Sequence, residues 1–408
     1  MSIAFANALS TESDAEAAEE QCIAALGEQL RGSDPDLLLF FASPHYGASL
    51  EGLGRRLRDA TGASCTIGCT GASIVGGSRE IENRAALSVW AAKLPGTRLL
   101  AAQMRAGQEP EGGWSFHGIP EPGDLDRTGV MVLGDPFSFP MPEYLREMEQ
   151  RWPGVPIVGG LASGGRGPGQ NLIFLEDRVI TSGGVMMALE GATEICAAVS
   201  QGCRPVGDPL VITSCREHLV LKLGGKGAAA QMMRTIEGLE EEDRELFRHG
   251  PFVGLAIDAT KSRFEAGDLL VRNVLGLHPQ EDGVAVADNS IRVGQTIQFM
   301  VRDSNSASDD LRNLLAERGP QWADPVERSP EAKSVGALLF SCGGRGSSMF
   351  DSQHHDAAQL QAALGPDLPL SGFFANGEVG PVAGRNFLHG FSASVALLRR
   401  RSHASAES

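Results

Sequence analysis

A glycine-rich segment near the carboxyl end carries the strongest chemical signal in the sequence. It reads Ser341-Cys342-Gly343-Gly344-Arg345-Gly346 and follows a short apolar run. Successive backbone N–H groups of such a loop can point into one concavity and bind an anion. The guanidinium of Arg345 would add a fixed fork of donors for a carboxylate or phosphate. We predict a ligand-binding loop made of Cys342, Gly343, Gly344, Arg345 and Gly346; the alternative is a tight turn whose arginine pairs with an acid.

A second glycine-rich segment, residues 372–381, offers groups that suit the amine of the same ligand. It contains Asn376, whose amide both donates and accepts, and Glu378, whose carboxylate accepts. The alternative is that Asn376 forms part of a plain turn and that Glu378 is solvated. Asn386 and His389 follow at the entrance to a strand, and we predict that they contact or orient the ligand. A histidine in that position is more often structural.

A catalytic alternative gives Cys342 the role of nucleophile, with His389, His354 or His355 as its base. Lone cysteines at strand ends are usually packing residues, so the sequence favours a binding protein and leaves the question of an enzyme open. Adjacent histidines such as His354 and His355 point apart and make poor metal geometry. The sequence contains no phosphate-loop, HExxH or GxSxG motif. We therefore predict no metal site.

Three stretches share one order of elements and must position these residues. Each has a nearly all-apolar run, a helix of about ten residues and a second short run with a glycine at or near its end. Such apolar runs are typical of strands covered on both faces. The stretches are Leu37–Ser43, Leu50–Ala60 and Cys65–Gly71; Val130–Asp135, Glu143–Trp152 and Pro156–Gly160; and Ala337–Cys342, Asp356–Leu364 and Pro369–Phe374. A further apolar strand follows each, at Ala86–Trp90, Gly184–Leu189 and Ser394–Leu398. The pattern predicts a mixed α/β (α+β) fold of repeated βαββ units whose sheets are covered by helices.

The segment between the second and third stretches differs from them. It predicts a hairpin over residues 209–225, a helix over 228–236, an acidic helical stretch over 237–249, further strands over 252–257, 268–274 and 294–301, and then another helix. We place a domain boundary near residues 201–209. The predicted organisation is a helical or disordered lead (1–32), two α/β domains (33–206 and 207–398) and a disordered tail (399–408).

Composition excludes several classes of partner. The chain has 408 residues and a formal net charge of −16, from 35 Lys and Arg against 51 Asp and Glu, which disfavours nucleic acid. Its lysines are few and scattered, so no basic stripe for an anionic membrane is present. No stretch is long and apolar enough to span a membrane, and the acidic first thirty residues do not resemble a secretory signal. Seven cysteines without a CxxC pair predict a reduced, cytoplasmic protein.

These segments resemble the FIST family of sensory modules, which have an N-terminal and a C-terminal FIST domain. The resemblance rests on Ile67–Gly71, Phe340–Gly346, Pro369–Pro381 and Leu388–Gly390, and it covers about residues 35–398. It implies sensing of a small ligand, with amino acids proposed for the family. Some bacterial members of the family bind haem and signal nitric oxide to histidine kinases, so the resemblance also implies this possibility. Relatives fused to an F-box act as ubiquitin-ligase receptors, but this sequence shows no F-box, kinase or membrane segment.

We therefore expect a cytoplasmic sensor of a small polar ligand, with no resident cofactor and with a separate signalling protein as its partner. One alternative is a haem-binding nitric oxide sensor in which His389 or His45 is the axial ligand. The others are a Cys342 enzyme and a protein-interaction scaffold that uses the acidic helix near Glu240. Homo-oligomerisation stays open.

Overall fold

The structure, a computed structural model, describes residues 2–110, 112–121, 126–248, 250–258, 261, 264, 266–322 and 334–401. The chain divides into two compact units that are interleaved along the sequence. The first unit contains residues 1–199, 312–388 and 393–408, and the second contains residues 200–311 and 389–392. The predicted division into 33–206 and 207–398 follows the sequence and stays a prediction.

Two helix ends in the first copy and its lead follow local sequence rules. The side chain of Asp14 caps the first helix by accepting from the N–H of Ala17, and Gly62 ends the second in a left-handed conformation. The helices are α1 (Ala15–Gln29), α2 (Leu53–Thr61), α3 (Met141–Arg151), α4 (Ala228–Glu237), α5 (Glu241–Arg248), α6 (Ser304–Trp322) and α7 (His355–Leu364). Short 3-10 turns lie at Pro44–Leu50, Ala266–Asp268 and Gly346–Ser348.

Strands make up the rest of the regular structure. Those before residue 192 are β1 (Ala4–Ser10), β2 (Leu37–Ala42), β3 (Cys65–Thr70), β4 (Ser73–Gly76), β5 (Arg79–Glu82), β6 (Leu87–Lys93), β7 (Thr97–Gln108), β8 (Trp114–His117), β9 (Arg127–Gly134), β10 (Ile157–Leu161), β11 (Ile173–Leu175), β12 (Arg178–Ile180) and β13 (Gly184–Gly191). The next are β14 (Thr193–Gln201), β15 (Cys203–Arg216), β16 (Leu219–Leu223), β17 (Lys226–Gly227), β18 (Phe252–Ala256), β19 (Leu269–His278), β20 (Gly283–Val286) and β21 (Thr296–Arg302). The last are β22 (Val335–Cys342), β23 (Leu370–Ala375), β24 (Glu378–Val382), β25 (Arg385–His389) and β26 (Ser392–Arg400).

The predicted mixed α/β fold of repeated βαββ units is confirmed, and the first unit holds three copies. In each copy two strands joined by a helix lie parallel, and a later strand pairs antiparallel with the first of them. The parallel pairs are β2–β3, β9–β10 and β22–β23, and the antiparallel partners are β6, β13 and β26. Their apolar runs are buried throughout, as strands covered on both faces require.

Between its second and last strands each copy also contains a short hairpin, which the sequence analysis did not predict. The hairpin does not join the sheet of its own copy. The first hairpin (β4–β5) pairs with β23 of the third copy, the second (β11–β12) with β3 of the first, and the third (β24–β25) with β10 of the second. The three copies are therefore linked in a closed cycle of hydrogen-bonded strands.

One apolar core is shared by all three copies. It includes Phe41 from the first copy and Phe340 and Phe373 from the third, whose rings pack with centroids 5.1–6.3 Å apart. Met131 and Leu133 of the second copy belong to the same cluster. The alternate residues of the strands face the helices instead, as Phe40 does against α1 and α2. Each sheet is thus buried on one face by the shared core and on the other by its own helix.

The second unit contains an antiparallel barrel. Its strands follow the order β15-β21-β18-β19-β20-β16, and β15 closes the ring by pairing with β16 as well as with β21. The strand is long enough to serve both neighbours because it runs from Cys203 to Arg216 with register shifts along it. Apolar side chains of α4 and α5, among them Met232 and Phe247, complete its core. The predicted hairpin over 209–225 is confirmed as β15–β16.

The two ends of the chain differ in part from the sequence prediction. Residues 4–10 of the predicted lead form β1, an edge strand antiparallel to β6 that buries Phe5 against Trp90. The helix of the lead is α1. Of the predicted tail, residues 399 and 400 belong to β26, and residues 402–408 lie outside the described residues.

The glycine in the middle of β10 generates a prediction. Gly159 has φ +135°, and a Cβ there would lie 1.9 Å from the carbonyl oxygen of Val132 on the neighbouring parallel strand. We expect Gly159→Ala to lower the free energy of unfolding by roughly 3 kcal/mol or more, measured by urea denaturation. Gly27→Ala in α1 is the matched control, because an added Cβ meets nothing within 4 Å. The control should match or exceed the wild type in stability, and equal midpoints for wild type and Gly159→Ala would contradict the packing described here.

Candidate functional site

The two glycine-rich loops singled out in the sequence lie side by side. They leave the carboxyl ends of the adjacent parallel strands β22 and β23, where Cys342 is in register with Ala375. The N–H of Gly343 donates to the carbonyl of Ala375 over 3.2 Å and joins the loops. Gly343 and Asn376 are exposed, and Cys342 is half-buried. Carboxyl ends of parallel strands commonly carry ligand sites, and here this edge is open to solvent.

Arg345 lies beneath this edge and pairs with an acid. Its side chain is fully buried, and its Nε and Nη2 donate to Oδ2 and Oδ1 of Asp356 over 2.7 and 2.8 Å. Asp356 lies in the first turn of α7 and also accepts from the hydroxyl of Ser341 and interacts with Nδ1 of His355, each over 2.9 Å. Although burial opposes ionisation, the charge of Arg345 and these hydrogen bonds hold the pKa of Asp356 well below its usual range.

Two of the three guanidinium nitrogens of Arg345 are thus hydrogen-bonded within the protein, and Nη1 is the exception. Among the described residues, Nη1 of Arg345 is buried and has no hydrogen-bond partner. The guanidinium lies 5.1 Å from the ring centroid of Phe350. Burial opposes the charge, but Asp356, Cys342 and Glu378 act on it electrostatically and raise the pKa of Arg345 overall. A buried guanidinium N–H without an acceptor is rare in native proteins and calls for a partner.

Two acids of the first copy contribute to this region, and the sequence analysis missed both. They come from the exchanged hairpin β4–β5. Glu82 accepts from the N–H and hydroxyl of Ser347 over 2.9 and 2.7 Å, which holds the turn after Arg345. Glu80 accepts from the N–H of Ala357 over 2.8 Å and anchors the first turn of α7. Gly346, at φ +70°, is required there because a Cβ would lie 2.8 Å from the carboxylate of Glu82.

The carboxyl group of Glu80 is buried and has a raised pKa. It is 3% exposed, and its Oε2 has no hydrogen-bond partner among the described residues. Burial and the nearby negative charge of Asp356 raise the pKa of Glu80 to about 8, while the N–H of Ala357 and the charge of Arg345 act in the opposite direction. This raised pKa favours the protonated form of Glu80 at neutral pH.

Glu378 occupies a position that is apolar in the other two copies. It is the first residue of β24 and pairs with Gly160, the residue after the central glycine of β10. The corresponding pairs are Ile74 with Phe373 and Ile173 with Cys69, and both isoleucines belong to the shared apolar core. Glu378 is fully buried there. The third copy thus carries a carboxylate where the fold alone requires only an apolar side chain.

The remaining predicted site residues have separate placements. Asn386 uses its amide within the fold, since it donates to the carbonyl of Val155 and accepts from the N–H of Ile157, over 2.9 and 2.8 Å. It attaches the third hairpin to the second copy. His389 is 5% exposed and belongs to the second compact unit, whereas Asn386 belongs to the first.

The histidines proposed as bases have other partners. His354 accepts from the N–H of Glu80 through Nδ1 over 3.1 Å. His355 stacks on Phe350, with ring centroids 3.5 Å apart, and interacts with Asp356 and Gln359 through its two ring nitrogens. Both rings therefore position the Arg345 region rather than point to an acid–base role for Cys342.

The two histidines named as haem ligands lie in different surroundings. His45 is exposed on a 3-10 turn, and His389 is buried with contacts inside the fold. Across the described ranges, no group of three or more His, Cys, Asp or Glu side chains is placed to hold a metal ion.

A separate surface groove lies between β8 and α3. Its volume is about 620 Å³, and none of the predicted site residues lines it. Its lining is Gly113, Trp114, Phe116, Glu143, Arg146, Glu147, Gln150 and Arg151.

In the part of the chain that the structure describes, no helix is long and apolar enough to cross a membrane.

Comparison with known families matches the FIST N domain to residues 36–226 and the FIST C domain to residues 228–381. The chain belongs to the FIST family. FIST domains are sensory domains of signal transduction, so this FIST protein is a sensory protein. The loops at Cys342 and Glu378 lie in the FIST C segment, whereas the hairpin that supplies Glu80 lies in the FIST N segment.

The curated relatives are mycobacterial. An uncharacterized protein of Mycobacterium tuberculosis (strain CDC 1551 / Oshkosh) is 34% identical over 393 residues, 95% of this chain and 98% of the relative. An uncharacterized protein of Mycobacterium bovis is 35% identical over 394 residues, 95% of this chain and 96% of the relative. Among solved structures, cyanuric acid hydrolase from A. caulinodans matches with a TM-score of 0.30 and 10% identity, over 98% of this chain and 100% of that chain. At that similarity it supports no conclusion about this protein.

The ion pair of Arg345 and Asp356 generates a prediction. We expect Arg345→Met to lower the free energy of unfolding by about 3–5 kcal/mol, because it leaves a buried carboxylate without its cation. A double-mutant cycle with Asp356→Leu should give a coupling energy of at least about 2 kcal/mol, measured by urea denaturation. The exposed pair Arg146–Glu143 is the control and should couple by less than about 0.5 kcal/mol. Equal coupling in both cycles would show that the Arg345 pair is not a buried anchor.

The raised pKa of Glu80 generates a second prediction. Between its ordinary value of 4.5 and about 8, the folded state keeps a proton that the unfolded state releases, so stability falls as pH rises through this window. We expect Glu80→Gln to remove this loss and to exceed the wild type by about 2 kcal/mol or more at pH 8–9. Denaturation from pH 5 to pH 9 measures it. Glu20→Gln, on the exposed face of α1, should keep the wild-type profile; a Glu80→Gln profile parallel to that of the wild type would refute the assignment.

Proposed function

We propose that this FIST protein senses a small polar ligand, of the size of an amino acid, at the loops that follow β22 and β23. The ligand would lie against Cys342, Gly343, Gly344 and Gly346 on one loop and Asn376 and Glu378 on the other. Arg345 would donate to it from below through Nη1. A separate signalling protein would then respond to the bound state.

The observation that carries this proposal is the unsatisfied Nη1 of Arg345. The other two guanidinium nitrogens are fixed by Asp356, so the direction of Nη1 is set by the fold before any ligand arrives. A buried donor without an acceptor costs about 1–3 kcal/mol. A ligand oxygen that accepts from Nη1 would recover this free energy, and a donor that is already oriented loses little entropy on binding.

The position of the two loops supports the same site. Gly343 joins them through a backbone hydrogen bond, and Asn376 presents an amide to solvent beside it. Glu378 places a carboxylate at a position where the first and second copies have isoleucine. The third copy therefore has a buried carboxyl group at a position that is apolar in the other two copies. We also propose a reducing, cytoplasmic compartment, which the seven unpaired cysteines favour.

A ligand screen with matched variants tests this function. Thermal unfolding of the full chain would be followed with each amino acid and with acetate, sulfate and phosphate. We expect at least one compound to raise the melting temperature, and we expect Asn376→Ala and Arg345→Lys to reduce that shift. Asn313→Ala, an exposed asparagine on α6, is the matched control and should retain it. The absence of any shift, or a shift of equal size in all variants, would refute the proposed site.

A further inference from the structure

We propose that the site selects a ligand without net negative charge and that Nη1 of Arg345 binds an uncharged carbonyl oxygen, as in a carboxamide. This inference rests on the proposed function and names the ligand class. It differs from the expectation from the sequence, in which Arg345 holds the anionic end of the ligand. The reason lies in the charges that already surround the guanidinium.

The positive charge of Arg345 is compensated inside the protein. Asp356 binds it bidentately, and the two side chains are 0% and 2% exposed. A carboxylate ligand would normally use the same parallel pair of donors on an arginine. Since Asp356 occupies that edge, Nη1 is the guanidinium nitrogen left without a partner among the described residues, and the charge of Arg345 is already compensated.

A second carboxyl group in this region acts in the same direction as Asp356. Glu378 is fully buried and acts electrostatically on Arg345. Glu80, whose protonated form is favoured at neutral pH, supplies no positive charge to offset them. An anionic ligand would bring one more negative charge into a region whose single buried arginine already faces Asp356 and Glu378. Burial of an uncompensated charge costs far more than one hydrogen bond returns.

A neutral carbonyl avoids this cost and still satisfies Nη1. A carboxamide oxygen accepts a hydrogen bond from a guanidinium without adding charge, and its N–H₂ group can donate in turn. Asn376, exposed on the adjacent loop, offers a side-chain oxygen as an acceptor at the solvent edge. The geometry therefore favours amides over the carboxylates of the same shape.

Isosteric pairs give a direct test. Saturation-transfer-difference NMR on the full chain at pH 7 would compare acetamide with acetate and propionamide with propionate. We expect the amides to bind at least about tenfold more tightly than the carboxylates, and we expect Arg345→Lys to abolish the amide signal. Asn313→Ala should leave it unchanged. Asp356→Asn removes the compensating charge, so in this variant acetate should bind more tightly than acetamide.

Each outcome decides a separate point. If the carboxylates bind the wild type as tightly as the amides and Arg345→Lys abolishes both, the charge inference is wrong and the proposed site stands. If neither series binds, both proposals are overturned. A folded Asp356→Asn that still prefers acetamide also contradicts the inference. If circular dichroism shows that Asp356→Asn is unfolded, the inference is tested by two other results. These are the preference of the wild type for amides and the loss of amide binding in Arg345→Lys.

Discussion

The buried ion pair between Arg345 and Asp356 connects the loop after β22 to the first turn of α7. Because both side chains are removed from solvent, the pair depends on the hydrogen bonds around it. Ser341 and His355 add to those of Asp356, whereas Nη1 of Arg345 has no partner among the described residues. The same pair sets the charge of the candidate site. Among the described residues it leaves one guanidinium nitrogen, Nη1, without a partner, and it compensates the positive charge of Arg345.

The exchange of hairpins explains why this region depends on distant parts of the chain. The hairpin β4–β5 belongs to the first copy but pairs with β23 of the third, and it carries Glu80 and Glu82 to the Arg345 loop. Residues of the FIST N segment therefore support a loop of the FIST C segment. In the first compact unit the two family segments form one structure with a shared core. A substitution in either segment can therefore alter the Arg345 loop.

The three copies agree in backbone and differ in chemistry. Each has a central glycine in its second strand, at Gly68, Gly159 and Gly372, where a Cβ would lie within 2.4 Å of a carbonyl oxygen on the neighbouring strand. The third copy alone combines an arginine-containing glycine loop with a buried glutamate that replaces isoleucine. Repetition thus provides the scaffold, and departures from the repeat mark the candidate site.

The sequence by itself determined the repeated βαββ units and the adjacency of the loops after β22 and β23, because apolar periodicity and strand order are local and consecutive parallel strands end at the same edge. It also singled out Arg345 and Glu378, whose types and glycine neighbours are unusual for plain turns. Only the tertiary structure decided that Asp356 pairs with Arg345, that Glu80 and Glu82 support its loop, and that Glu378 is buried. Periodicity specifies which face of a strand is covered but not which distant strand covers it. The partners of buried charges depend on that long-range choice.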